Sequence, residues 1–304
     1  MSTPQPGIFA LGTRSHYHLE FDRRPDVAPQ AIAAAVGALR EPSVTSGGSN
    51  LVVGFGAEAW REISAEDAPA ALAPFTAVEG EGRRAPATQH DVWVWVHGTG
   101  PDVLLDNARA VAAALGPVAE LANEQPCFVY HDSLDLTGFI DGTENPSVHD
   151  GPEVATVPAG EPGAGGSFVL AMQWVHDLDA FDALPVAEQQ EVIGRTKTDS
   201  VELEDKPATA HVSRVVVEET GADGAPRELE IFRRSVPWGT VGEHGLYFVA
   251  FSADPTRFDR MLARMFGTAG DGIHDHLTDF SRPVSGAYYF APSLEALARL
   301  GQES

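Results

Sequence analysis

Hydrophobic positions along this 304-residue chain follow two periods. Spacing near 3.6 residues predicts helices over 27–39, with Ile32, Val36 and Leu39 on one stripe, and over 103–115, with Leu104, Ala108, Val111 and Leu115. Two further helices are predicted over 179–193 and 255–265; Asp179 reads as an N-cap, and Pro185 interrupts the first of these. Alternating or continuous apolar runs predict strands over 16–21, 50–55, 90–96, 125–130, 167–174, 211–217, 229–235, 246–252 and 286–290. Residues Val92 to Val96 form an unbroken apolar run, the mark of a strand covered on both faces. A short apolar segment at 7–11 precedes the first strand.

The order of these elements repeats. Each half holds strands and helices in irregular alternation with paired strands between, which points to α+β with antiparallel sheets, not to a doubly wound parallel sheet. Two ferredoxin-like β-α-β-β-α-β units fit, residues 1–150 and 151–304, in a barrel-like pair joined through the Gly- and Pro-rich stretch 150–166. No glycine-rich loop follows a strand in the pattern that cradles nucleotide phosphates.

Charge narrows the partners. Forty-four carboxylates against 20 Lys and Arg give a net charge of −24, a surface that repels nucleic acid and anionic membranes. No run approaches the roughly 18 apolar residues of a membrane-spanning helix, and 1–10 lacks the pattern of a signal peptide. Cys127 is the single cysteine, read as a small buried residue; no intramolecular disulfide can form. The expected location is cytoplasmic.

Candidate chemistry gathers at three places. The first is Gly138-Phe139-Ile140-Asp141-Gly142-Thr143-Glu144-Asn145-Pro146. Asp-Gly is a tight-turn signal, and the same Asp141, set against Phe139 and Ile140, is a carboxylate whose pKa desolvation would raise toward proton transfer. The second is His211, opening the run His-Val-Ser-Arg-Val-Val-Val; it reads either as a structural histidine or as an iron ligand. The third is the run from Ile231 to Gly239, where period two sends Arg233 and Ser235 to one face and leaves Arg234 in solvent on the other. His16 and His18, and His274 and His276, read as solvated pairs.

Taken together and in this order, the nonapeptide, the His211 segment and Arg-Arg-Ser-Val-Pro-Trp-Gly resemble the dye-decolorizing peroxidases, specifically their bacterial B-type branch. The likeness extends to Ile193–Lys197 and to the run from Gly286 to Ser293. It implies haem b in the C-terminal half with His211 as proximal iron ligand, a catalytic trio of Asp141, Arg233 and Ser235, and cofactor contacts from Gly142, Thr143, Glu144, Arg195 and Phe248. A carboxylate, Asp275 or Asp279, would support the proximal histidine. Hydrogen peroxide would be reduced and dyes, phenols or other one-electron donors oxidised through a ferryl intermediate, with the acidic surface favouring cationic donors or Mn2+. Iron release from haem, and a haem carrier or sensor, are the alternatives; a carrier has no use for Asp141 and Arg233. The resemblance also implies a homo-oligomer. The chain ends at Ser304 without the tail by which some relatives enter encapsulin shells, so no such packaging is expected. Val236, where many relatives have methionine, Arg234, an added charge beside Arg233, and the loop 221–227 are the departures.

Overall fold

Strand Ser15–Arg23 leads into helix Pro29–Ala38, strands Ser49–Phe55 and Val92–Gly98, helix Pro101–Leu115 and strand Ala119–Phe128. The second half repeats the scheme with strand Ser167–His176, helices Leu178–Asp182 and Val186–Ile193, strands Phe232–Arg233 and Val236–Gly239, strand His244–Ser252, helix Thr256–Met265 and strand Ala287–Ala291. This computed structural model describes residues 2–39, 48–220 and 224–300. Within each half the main strands lie in the order fourth, first, third, second, all antiparallel. Both expected ferredoxin-like units are therefore present.

The two units share one ten-stranded sheet. Among the described residues their strands pair at one position, Phe290 with Phe55. Beside it the buried side chain of Gln5 accepts from Val53 N and donates to the carbonyls of Val53 and Pro292, at 2.8 to 2.9 Å. The strand path stays open, with Ala119–Phe128 and Phe232–Arg233 as edges, so the barrel-like arrangement is not a closed barrel. Curvature nevertheless brings Val236–Gly239 beside Ala119–Phe128.

Period two explains the two cores. Val92, Val94 and Val96 meet the helices on one face, while Trp93 and Trp95 enter the aromatic interior on the other. That interior also takes His16, His18 and His97, which corrects the expectation that His16 and His18 are solvated: they are 2% and 0% exposed. His16 stands opposite His97 in the strand register, and the His18 ring stacks on Tyr247 at 4.0 Å. Arg234 does not stay in solvent either. It lies over Trp95 and donates to the carbonyl of Ile8.

Other departures are local. Residues 211–217 do not form a strand: His211–Val215 is one short helix. The β-branched run is overridden by tertiary bonds, since Arg214 donates to the carbonyls of Arg264 and Ile273 while Arg264 donates to those of Arg214 and Ser213. The strand expected over 229–235 is only Phe232–Arg233. Asp177, not Asp179, caps the helix after it, accepting from Ala180 N. Pro185 splits 179–193 into two helices, as expected. The stretch 150–166 includes a helical turn, Gly151–Ala155. Of the loop 221–227, residues 221–223 lie outside the described residues, as do 301–304 of the chain end.

Candidate active site

A cavity of about 240 Å3 opens on the helix-covered face of the C-terminal half. Alternate residues Leu170, Met172 and Trp174 of one strand and Leu246 and Phe248 of the next form its floor. Helix Thr256–Met265 roofs it: Phe258, Met261, Leu262 and Met265 recur at the spacing of one helix face, and Asp254 caps its first turn by accepting from Thr256 N. Such walls suit a flat apolar ligand with a few polar anchors.

His211 stands at the start of its short helix and lines this cavity. Its Nδ1 lies 2.6 Å from Oδ2 of Asp275, which is fully buried and whose Oδ1 accepts from Leu277 N. The carboxylate accepts from Nδ1–H, an arrangement that in the neutral imidazole leaves Nε2 as the ligand atom. This chooses between the two candidate carboxylates. Asp279 instead pairs with Arg83 and lies near His274 and His276.

Asp141, Arg233 and Ser235 also line the cavity, with Gly142, Thr143, Glu144, Arg195 and Phe248. The turn reading of the Asp-Gly pair holds, and burial does raise the Asp141 carboxyl. Gly142 sits at φ +77°, the left-handed region that glycine reaches without strain, and Asn145 N donates to its carbonyl. Asp141 is turned to the cavity, where burial raises its pKa; the Arg233 cation opposes that rise and the Asp135 charge adds to it. Of its apolar neighbours, Phe139 is buried but Ile140 is 38% exposed, so the cavity wall, not Ile140, accounts for the desolvation. Asn145 fastens this turn to the arginine strand: its side-chain amide donates to Arg233 O and accepts from Arg233 N, at 3.0 and 2.8 Å. Nothing in the pattern of residues singled Asn145 out. Ser235 Oγ accepts from Val249 N at 3.3 Å.

Arg195 is buried, with Nη1 bonded to Ser200 O and Nη2 paired with Glu144 at 2.7 Å and Glu202 at 3.0 Å. Thr143 meets the Ser200 hydroxyl at 2.8 Å. His211 and every residue nominated for the catalytic trio or for cofactor contact thus line one cavity, although Thr143 and Glu144 sit at its exposed rim. A further polar group was missed. Asp135, Thr137, His176 and Ser281 form part of the same wall, distant in sequence and joined only by folding.

Residues 31–129 match the family model for the Dyp-type peroxidase N-terminal domain and residues 132–296 that for the C-terminal domain. The chain belongs to the Dyp-type peroxidase family. Family membership makes the protein an oxidoreductase that acts on peroxide. It is 34% identical over 97% of its length to a dye-decolorizing peroxidase of Rhodococcus erythropolis, covering 88% of that protein. To the dye-decolorizing peroxidase of Mycobacterium tuberculosis it is 36% identical over 82%, covering 74%. Its fold matches a Dyp-type peroxidase structure from Shewanella oneidensis with a TM-score of 0.91, 35% identity and coverage of 98% and 99% of the two chains. A Rhodococcus jostii RHA1 DypB variant in complex with heme gives 0.88 at 32% identity, covering 95% and 96%. Likeness to a Yersinia deferrochelatase is more distant, 28% over 52% of this chain and 41% of that protein. Among the described residues no helix is long and apolar enough to cross a membrane.

Proposed function

We propose that the cavity binds haem b and that the protein is a B-type member of its family, reducing hydrogen peroxide at the expense of one-electron donors. The observation that carries this reading is His211, locked through Nδ1 to buried Asp275, its Nε2 left as a basic ligand atom in an apolar cavity that also holds Asp141 and Arg233. The donor set fits haem: one imidazole for iron, apolar walls for the macrocycle with Phe248 among them, and Arg195 as a cation for a propionate, with Glu144 and Glu202 as its competitors. When bound, haem would supply the redox-active iron that receives the peroxide.

The protein groups have separate tasks. Asp141 takes the proton from one peroxide oxygen and returns it to the other, which its raised pKa suits. Arg233 forms no ion pair among the described residues, so its guanidinium is free to meet the negative charge that grows as the O–O bond breaks. Ser235 adds a hydroxyl beside them. A carrier would need His211 alone, so the distal pair favours turnover.

Donor choice follows from the cavity rim, where Glu144, Glu228 and Glu230 bring negative charge. Burial, then repulsion from Glu230 and Glu144, raises the Glu228 pKa. Cationic donors or Mn2+ should react faster than sulfonated dyes, with the advantage shrinking as salt rises; equal rates insensitive to ionic strength would count against this. A cytoplasmic, homo-oligomeric enzyme completes the proposal, the lone buried Cys127 being suited to a reducing compartment.

The test is optical. Haem-loaded wild-type protein should show a Soret band that shifts on one equivalent of peroxide, and His211→Ala should lose the band or move it to that of unligated haem. An unchanged Soret band in His211→Ala would remove His211 as the ligand.

A further inference from the structure

His176 ends the first strand of the C-terminal half, and Ser281 is its cross-strand partner. Their side chains meet at 2.7 Å through Nδ1, and Nε2 of the same ring lies 3.3 Å from Oδ2 of Asp135. Asp135 also accepts from Thr137 N and its hydroxyl, at 2.9 and 2.6 Å. Burial would raise its carboxyl, but the His176 ring, with the Thr137 bonds behind it, holds it at about 2, well below the usual range, so it stays a proton acceptor. The Asp135–His176–Ser281 chain takes no part in the functions assigned above.

Its position is what matters. His176 and Ser281 line the active-site cavity and also a separate surface cleft of about 510 Å3, bordered by Asp177, Asp179, His244, Asp279 and Arg282. Together with Thr278 they form the partition between cleft and cavity. On the inner side, Asp135 opens the turn that ends in Asp141: Asp135 N donates to Phe139 O, and Gly138 N donates to Asp135 O. The two carboxyls feel each other's charge.

Stoichiometry gives the partition a task. Reducing one peroxide to two waters consumes two electrons and two protons. Asp141 only moves a proton between the peroxide oxygens, so it adds none. A donor that gives up electrons alone leaves both protons to come from solvent.

We propose that Ser281, His176 and Asp135 relay protons from the surface cleft to Asp141. The inference rests on the peroxidase reading above. In each transfer the Ser281 hydroxyl gives its proton to Nδ1 and regains one from a water in the cleft. The Nε2–H bond breaks as an O–H bond forms on Asp135, which passes that proton inward toward Asp141. The ring then resets by rotation about both its Cα–Cβ and Cβ–Cγ bonds, which brings Nδ1–H to Asp135 and the bare Nε2 to Ser281 for the next transfer. No electron moves through the relay.

The experiment uses haem-loaded enzyme in weak buffer with a pH-indicator dye, mixed first with peroxide and then with ferrocyanide as an electron-only donor. In His176→Gln the peroxide-driven absorbance change should stay within about twofold of wild type. Proton uptake during the ferrocyanide step should slow about tenfold or more, the scale of a lost acid–base group, and millimolar imidazole should restore it. Ser281→Ala, a milder change at the outer link, should show the same delay if His176→Gln does not fold. Wild-type proton uptake in either folded variant would overturn the relay, as would a delay in His176→Gln that imidazole leaves untouched. Wild-type enzyme giving no absorbance change with peroxide would instead overturn the peroxidase reading beneath it.

Discussion

Arg233→Leu slows the reaction of the haem-loaded enzyme with peroxide by about 10²–10³-fold, the cost of removing one preorganised charge at a site of developing anion, about 2.7–4 kcal/mol. Stopped-flow mixing with peroxide measures it directly. The substitution also has a signature in pH. Asp141 must be deprotonated to accept the peroxide proton, so the step is active above its raised pKa and fails as pH falls through it. Arg233 pulls that pKa down; without the cation it climbs further, and the acidic limb of the pH profile moves to higher pH. Asp141→Asn should abolish that limb. If the limb stays fixed in Arg233→Leu, the two groups are not coupled and Arg233 acts only through binding.

Much of this site was legible because its chemistry sits in short local runs. Asp141 with its glycine, and Arg233 with Ser235 two residues on, are fixed relative to each other by turn and strand geometry that a few residues determine. The proximal side was harder. His211 and Asp275 are 64 residues apart, and Asp279 offered the same charge in the same segment; the Arg214–Arg264 lock and the bond from His276 N to Thr209 O together set the histidine helix against the Asp275 loop. The same lock turned an apparent Val-rich strand into a helix. Asn145 and the Asp135–His176–Ser281 chain were invisible because each is defined by partners on distant strands. His16, His18 and Arg234 were misread for a related reason: alternation says which residues share a face, but not that the sheet curves until both faces are covered.

That curvature carries the second large prediction. His16, His18 and His97 are buried without charge; burial, followed by neighbouring positive groups, lowers His16 to about 3, His97 to about 2 and His18 well below its usual value. On unfolding each regains a pKa near ~6.5. The stabilisation they permit is whole above pH 6.5 and is lost as pH falls toward the depressed folded values, by about 1.4 kcal/mol per pH unit for each histidine. By pH 5 three such groups forfeit about 6 kcal/mol, comparable to the ~5–15 kcal/mol that holds a domain folded. Urea titrations between pH 8 and 5 should therefore show stability falling steeply below 6.5. His18→Phe, which keeps the stack on Tyr247, should reduce that slope by about a third whatever it does to stability at pH 8. A slope equal to wild type would mean that the cluster is not what makes the fold acid-labile.

The side chain of Gln5 has a practical meaning for anyone handling this protein. The strands of the two pseudo-repeats pair at one position, and a glutamine near the start of the chain bridges them there, bonded both ways to Val53 and donating to Pro292 O. The opening residues are thus a rivet through the seam, set far along the chain from the chemistry yet holding its two halves in alignment. A tag or trim at that end is an alteration to the frame itself, and a weakened enzyme made that way would be mistaken for one with a damaged active site.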